Sequence, residues 1–447
     1  MKIAKRFVNA VIVFIMSNIY VLLRIVDMVM PFLCVTIFSV FYILIMIMPL
    51  TGLKNIQTNS IRRCQRGCEL LYAFLISVSC SIVLLFLILF HKVDADIDGI
   101  GNWIVYILTA VIFEAICFWA GIIRVYISSK QLAVKWRVIG MICGWIPIVH
   151  LIVLGKILSL AAAENQFEND KILLNAARCN ERICATRYPI LLVHGVFFRD
   201  FRYLNYWGRI PEELTKNGAR VYYGNQQSAA SVEACGHELA ARIVQVLQET
   251  GSEKVNIIAH SKGGLDSRYA ISMLGMDKYV ASLTTVNTPH RGCAFADYLL
   301  SVIPQGVQQS VAGTYNAALR RLGDYNPDFI SAVRDLTYEA CVRRNELMPD
   351  THGVPVISTG SCLAKPSGGR FPLNMTNGFV KWFDGANDGL VGSESFRWGD
   401  EYIYLEPSGK RGISHGDMID LNRENIKGFD VREFYVQLVH NLKTRGY

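Results

Sequence analysis

K-V-N-I-I-A-H-S-K-G-G, residues 254–264, reads as a strand that ends in a sharp turn with a serine at its tip. Val255, Ile257 and Ile258 form a short β-branched run, the mark of a strand buried on both faces. Ala259-His260-Ser261-Lys262-Gly263 follows, and a helical pattern begins after it. This spacing, with alanine in place of a first glycine, predicts a nucleophile elbow. Small residues are needed two positions either side of Ser261 because strand and helix nearly touch there. The strained turn lifts the hydroxyl above the sheet and lets the Lys262 N–H face a developing oxyanion. Such a spacing is common by chance, so the rest of the chain has to support it.

The chain has 447 residues, enough for two or three domains, and 52% of them are hydrophobic. Its net charge of +8 is unevenly held: residues 1–160 carry 14 Lys/Arg against 6 Asp/Glu, whereas residues 161–447 carry 31 of each. The basic excess therefore belongs to the front, where it can orient membrane helices, and no nucleic-acid partner is expected. No spacing among the 12 cysteines reads as a zinc site. Cys179 and Cys184 are near enough in sequence to pair in an oxidising space, with free thiols as the alternative.

Three segments are predicted: a multi-pass transmembrane region of about five helices over 1–160, a partly helical connector over 161–187, and a catalytic domain over 188–447. The apolar runs are Phe7–Leu23, Met28–Leu50, Leu70–Phe90, Trp103–Ile123 and Val138–Gly155. Each approaches the roughly 20 residues that cross a bilayer. Asn9, Ser17 and Asn18 make the first run the least apolar. Lys2, Lys5 and Arg6 precede run one, Lys54, Arg62, Arg63 and Arg66 precede run three, and Arg124, Lys130, Lys135 and Arg137 precede run five. The other turns hold Arg24 with Asp27, and His91-Lys92 with Asp94, Asp96 and Asp98. The positive-inside rule makes the basic segments cytoplasmic and predicts an integral cell-membrane protein with its catalytic domain extracellular. Glu114 and His150 are ionisable groups within the runs, each expected either in function or in a hydrogen bond inside the bundle.

From Tyr188 onward short apolar runs alternate with helical stretches. Strands are predicted at Pro189–Val193, Arg220–Tyr223, Val255–Ala259, Tyr279–Val286 and Val354–Ile357, and helices at Ser231–Thr250 and Asp430–Leu442. This alternation predicts an α/β fold with a mostly parallel, doubly wound sheet, whose sites form at the carboxyl ends of strands.

A serine nucleophile needs a base, and the base needs a carboxylate to hold it. In this fold the chain order is Ser, acid, His. His290 follows the next strand too closely and reads as part of a structural loop. His352 comes too early, and His440 lies in the last helix. His415 lies in the polar turn 412–417 and is the expected base. Asp388, in the tight turn N-D-G-L-V, is the expected acid, with Asp384 in reserve. The second oxyanion donor is expected from the Val196 N–H, after His194-Gly195, with His194 structural.

With these residues in hand, the C-terminal domain resembles the bacterial triacylglycerol lipases of the α/β-hydrolase superfamily. The resemblance rests on Y-P-I-L-L-V-H-G (188–195), N-Y-W-G (205–208), A-H-S-K-G-G (259–264), N-T-P-H-R-G (287–292), N-D-G-L-V-G (387–392) and S-H-G-D (414–417). It implies Ser261 as nucleophile, Asp388 as acid, His415 as base, and the N–H groups of Val196 and Lys262 as the oxyanion hole. It also implies a structural calcium site for which Asp417 is a candidate ligand. No second aspartate lies between Asp350 and Asp384, so no cofactor is expected. Lys262 beside the nucleophile departs from the pattern, and is expected either to favour nearby anions or to be an exposed lysine at a helix start.

The stretch Tyr298–Leu322 falls where such lipases resemble one another in having a lid helix, with a core-packed cap as the alternative. Together with the bilayer as partner, this makes lipid carboxylic esters the expected substrates, cleaved through an acyl-enzyme. A small-ester esterase or an acyltransferase would use the same residues. A non-catalytic membrane sensor or accessory protein would be expected to have a substituted triad position, and every expected position is filled.

Overall fold

The computed structural model describes residues 2–447 apart from 27–29, 54–55, 57, 96, 197–204, 350–352 and 407–408. Asp27, Met28, Lys54, Asp96, Asp350 and His352 lie outside the described residues. The chain forms two compact units, Met1–Ala176 and Ala177–Tyr447.

The first unit is helical: α1 (Lys2–Ser17), α2 (Ile19–Ile25), α3 (Pro31–Ile47), α4 (Asn59–Leu89), α5 (Ile100–Ser128), α6 (Ala133–Cys143) and α7 (Pro147–Arg178). Among the described residues three helices, α4, α5 and α7, are long and apolar enough to cross a membrane, and the α1–α2 pair would add a fourth if it forms one span. The first apolar run is not one straight helix, because α1 and α2 meet at a bend of 81°. The break falls at Asn18, whose amide bonds the Phe14 carbonyl (2.9 Å) and Ser81 Oγ (2.7 Å) and accepts from the Tyr106 hydroxyl (3.1 Å). Asn9 is likewise used, exchanging two 3.0 Å hydrogen bonds with the Leu50 backbone. The fifth run is also broken: α6 stops at Cys143 and α7 restarts at Pro147, which fits the first turn of a helix and no later one. The connector is more helical than its composition suggests, since α7 runs through to Arg178.

Glu114 is bonded inside the bundle by the Ser77 hydroxyl. His150 packs against the Phe118 ring, with centroids 5.2 Å apart. Glu69, buried in α4, accepts from Arg6 (2.8 Å) and Gln65 (2.6 Å). Helices α4 and α5 touch at glycine: a Cβ on Gly67 would lie 2.8 Å from the Gly121 carbonyl and 2.9 Å from Arg124 Cβ.

In the second unit the strands are β1 (Ile190–Val193), β2 (Val221–Tyr223), β3 (Val255–His260), β4 (Val280–Val286), β5 (Val356–Ser361) and β6 (Glu401–Leu405). They form one sheet in the order β2-β1-β3-β4-β5-β6, with every neighbouring pair parallel. The helices are α8 (Ile210–Lys216), α9 (Val232–Thr250), α10 (Lys262–Met273), α11 (Ala294–Val302), α12 (Gln305–Arg321), α13 (Phe329–Arg334), α14 (Tyr338–Leu347), α15 (Leu373–Asp384) and α16 (Val431–Thr444).

Period-2 alternation sends Ile190, Leu192 and Ile258 into a core with Trp207, Tyr435 and Val439. Leu191, Val193, Ile257 and Ala259 go into a second core with Leu239, Ile243 and Ala270. Both faces are covered, as a parallel sheet requires. This is the α/β-hydrolase type of fold. The final strand begins two residues later than Val354, and β6 adds an edge. All twelve cysteines are free, Cys179 exposed and Cys184 buried.

Gly67→Ala should separate α4 from α5 and lower the thermal denaturation midpoint of the detergent-purified chain, overpacking of this kind costing about 1–3 kcal/mol. Gly101→Ala, in α5 and with nothing within 4 Å of its Cβ, should leave the midpoint unchanged or raise it.

Candidate active site

Ser261 stands between β3 and α10 with φ +55° and ψ −132°, a backbone conformation costing about 1–3 kcal/mol for a residue with a Cβ. Its N–H donates to the Val286 carbonyl (2.9 Å) and its carbonyl accepts from Gly264 N (3.1 Å). The glycines that follow are required by closeness. A Cβ on Gly263 would lie 2.4 Å from the His194 carbonyl, and one on Gly264 would lie 2.2 Å from Thr288 Oγ1. Gly195 gives the same room from the β1 side, where a Cβ would meet Ser261 Cβ at 2.8 Å.

Asp388 and His415 are in contact: His415 Nδ1 lies 2.6 Å from Asp388 Oδ2. The carboxylate is fully buried and receives three further donors. Asn287 Nδ2 reaches Oδ2 at 2.6 Å, and the Leu390 and Val391 N–H groups reach Oδ1 at 3.0 and 2.9 Å. A carboxylate facing Nδ1 can only accept, so Nδ1 carries the proton and Nε2 is left with its lone pair. The His415 backbone N–H donates to the Asp388 carbonyl (2.9 Å), tying the two loops together.

His415 packs on the ring of His260, with centroids 4.4 Å apart, and His260 is the residue before Ser261. The Tyr206 hydroxyl holds His260 Nδ1 at 2.7 Å. Burial, with repulsion from His415 second, pushes the His260 pKa well below the usual histidine value, so that ring is neutral. The motif N-Y-W-G carried Tyr206, and N-T-P-H-R-G carried Asn287, but residue type alone assigned neither a role.

Ser261 and Val196 line one apolar cavity of about 310 Å³ with Phe295, Leu299, Val307 and Val333. Lys262 opens α10, so its N–H has no carbonyl of its own helix to bond. The loop bearing Val196 is pinned by His194, whose Nδ1 and Nε2 lie 2.8 and 2.9 Å from the Gly195 and Gln226 carbonyls.

The Lys262 side chain is buried, which corrects the expectation of an exposed lysine at a helix start. It is 2% exposed, and its ammonium pairs with Asp266 one turn along α10 (2.6 Å). Burial works against the ammonium, but Asp266 and Cys235 outweigh it, so its pKa lies above the usual lysine value.

Asp384, the reserve acid, instead caps α11, accepting from the Ala294 and Phe295 N–H groups (3.0 and 3.1 Å). His290 is structural: its ring bonds Thr285 Oγ1 (2.9 Å) and stacks on Trp398 (5.5 Å). His440 is partly buried, near the Ile183 carbonyl (3.2 Å). Asp417 does not fit a calcium site. Arg411 takes both its oxygens (2.7 and 3.1 Å) and Ser414 N adds a third donor (2.8 Å). Among the described residues, no group of three His, Cys, Asp or Glu gathers as a metal site.

A family model described as "Putative serine esterase (DUF676)" matches residues 199–312. The chain is 34% identical over 291 residues to a triacylglycerol lipase of Vibrio cholerae, covering 58% of this chain and 89% of that protein. It is 36% identical over 200 residues to a triacylglycerol lipase of Burkholderia plantarii, covering 42% of this chain but 54% of that one. Among solved structures, the mature Bacillus licheniformis lipase BlEst2 aligns with a TM-score of 0.43 at 23% identity, covering 57% of this chain and 92% of that one.

Two substitutions separate geometry from packing. Asn287→Ala should lower kcat on a soluble ester by about 10- to 100-fold, the worth of one hydrogen bond to a charged group, with little change in KM. Gly263→Ala should lower both the unfolding temperature and serine-probe labelling, because the methyl displaces the β1 loop against which the elbow is built.

Proposed function

Because the chain belongs to the triacylglycerol lipase family of carboxylic ester hydrolases, we propose that it is a membrane-anchored lipase acting through Ser261, His415 and Asp388. The observation that carries this reading is the Asp388–His415 contact at 2.6 Å, beside a serine held in a strained turn at the mouth of an apolar cavity. Ser261 Oγ attacks the ester carbonyl while His415 Nε2 takes its proton. The oxyanion forms against the N–H groups of Val196 and Lys262. His415 then returns the proton to the leaving alcohol, and water repeats the sequence to release the acid. No metal enters these steps.

The preference for lipid esters is supported by the cavity walls and by what surrounds them. The expected lid falls on two helices, α11 and α12, which part at Pro304. Helix α12 buries Ala312 and Leu319 and leaves Val307, Val311 and Tyr315 open. Nearby, α15 exposes Met375 (60%), Phe379 (62%) and Trp382 (88%), a patch suited to a lipid–water interface.

An outward catalytic unit is also proposed, and it needs only three crossings. The basic end of α4 and the basic stretch between α5 and α7 lie on one side, so α7 leaves that side.

Labelling with a membrane-impermeant fluorophosphonate tests site and orientation together. Wild type should label fully on intact cells, and Ser261→Ala should not label at all. Labelling only after lysis would refute the orientation; none in detergent would refute the nucleophile. Asp388→Asn should lower kcat by about 10⁴-fold through the wrong tautomer.

Trp382→Ala combined with Met375→Ala should slow hydrolysis of vesicle lipids severalfold and leave a soluble ester untouched. Equal losses would count against interfacial docking. EDTA should change neither activity nor the unfolding midpoint, whereas Arg411→Ala should lower the midpoint.

A further inference from the structure

The membrane unit holds a second cavity, of about 520 Å³, that the proposed hydrolysis does not use. Its walls include Arg62, Arg63 and Arg66 from the first turns of α4 and Arg124 from the last turn but one of α5. The contact of Gly67 with Gly121 brings these two helix ends together, and the Cβ of Arg124 would lie 2.9 Å from a Cβ on Gly67. Arg62 bonds Asn59 Oδ1 (3.2 Å) and the Ile56 carbonyl (3.3 Å). Among the described residues none of the four arginines has a carboxylate partner, and Arg124 Nη1 is buried without a hydrogen bond. Ile123 and Ile127 continue the lining and are largely exposed.

Four cations gathered without an acid repel one another, and a buried guanidinium nitrogen without an acceptor costs free energy. Both costs are removed by one ligand that offers several anionic oxygens. Guanidinium forks match phosphate bidentately. The adjoining isoleucines suit a hydrocarbon chain and not a free ion. We propose that this cavity binds the phosphate headgroup of an anionic phospholipid, with the acyl chains running along α5. The lipid as source rests on the membrane reading of this unit. The site is separate from the serine and deepens a positive-inside signal into a built receptor.

The test uses the full chain in a neutral detergent, with native mass spectrometry reading lipid adducts. Phosphatidylglycerol should bind about tenfold or more tightly than phosphatidylcholine. Arg66→Gln with Arg124→Gln should abolish that difference, and Arg66→Lys with Arg124→Lys should keep part of it. Equal binding of phosphatidylglycerol by wild type and the glutamine pair overturns the site. If the glutamine pair does not accumulate, wild-type headgroup preference decides: no preference overturns it. Displacement of the lipid by millimolar inorganic phosphate, bound equally well alone, overturns the lipid assignment. Resistance of the chain to alkaline carbonate extraction is scored in parallel. Extraction without detergent refutes the membrane reading itself, whereas resistance combined with no headgroup preference refutes only the cavity's role.

Discussion

The turn at Ser261 is the constraint around which the catalytic unit is arranged. A serine at φ +55° is strained, and it persists because three elements crowd it from different sides. β4 takes its N–H through Val286, the β1 loop lies against Gly263 through the His194 carbonyl, and Thr288 lies against Gly264. The approaches at Gly263 and Gly264 are closer than any side chain larger than hydrogen permits. The parallel register of β1, β3 and β4 follows, since a slip of one residue would move the loops that hold the turn. Once register is set, Gly195, Ser261 and Asn287 emerge at the same carboxyl rim.

The electrostatics around that turn sort into paired and working charges. Lys262 would place a cation beside Ser261 if its side chain faced that residue, but Asp266 neutralises it within the helix. The lysine thereby keeps its charge paired within α10 while its backbone N–H stands at the head of the helix. His260, neutral through burial, offers His415 a packing surface without competing for the proton. Asp388 keeps its full acceptor capacity engaged, three donors steadying it and His415 completing the set. A carboxylate so held cannot rotate away, so the orientation of the imidazole is decided before substrate arrives.

Much of this was legible because it is local. The β3 run and its small-residue turn depend on neighbours within a few positions. What escaped reading depends on distant partners. Glu401–Leu405 is an edge strand with half-buried side chains, so it lacks the solid apolar run of β3. Asp384, at the end of α15, and Asp388, in the turn after it, sit only four residues apart, and only the fold shows that one caps α11 while the other meets His415. The burial of Lys262 required knowing that Cys235 and Asp266 surround it. Pro304 signalled the division of the lid stretch, yet its apolar spacing on either side read as one helix.

The same distinction governs the helical first unit. Hydropathy sums residues independently, and it marks Asn9 and Asn18 as arguments against a span. The cost of a polar group in an apolar phase depends instead on whether it is bonded, and both asparagines are. Polarity is therefore not what sets the first run apart; geometry is. A helix of 16 residues covers about 24 Å and one of 7 about 10 Å, so neither arm of the bent pair matches a hydrocarbon core of about 30 Å by itself. After α3, α4 and α5 run antiparallel through the Gly67–Gly121 contact, with their arginines at one end. The arginine-bearing end of the α4–α5 pair is therefore built without any contribution from the bent first run.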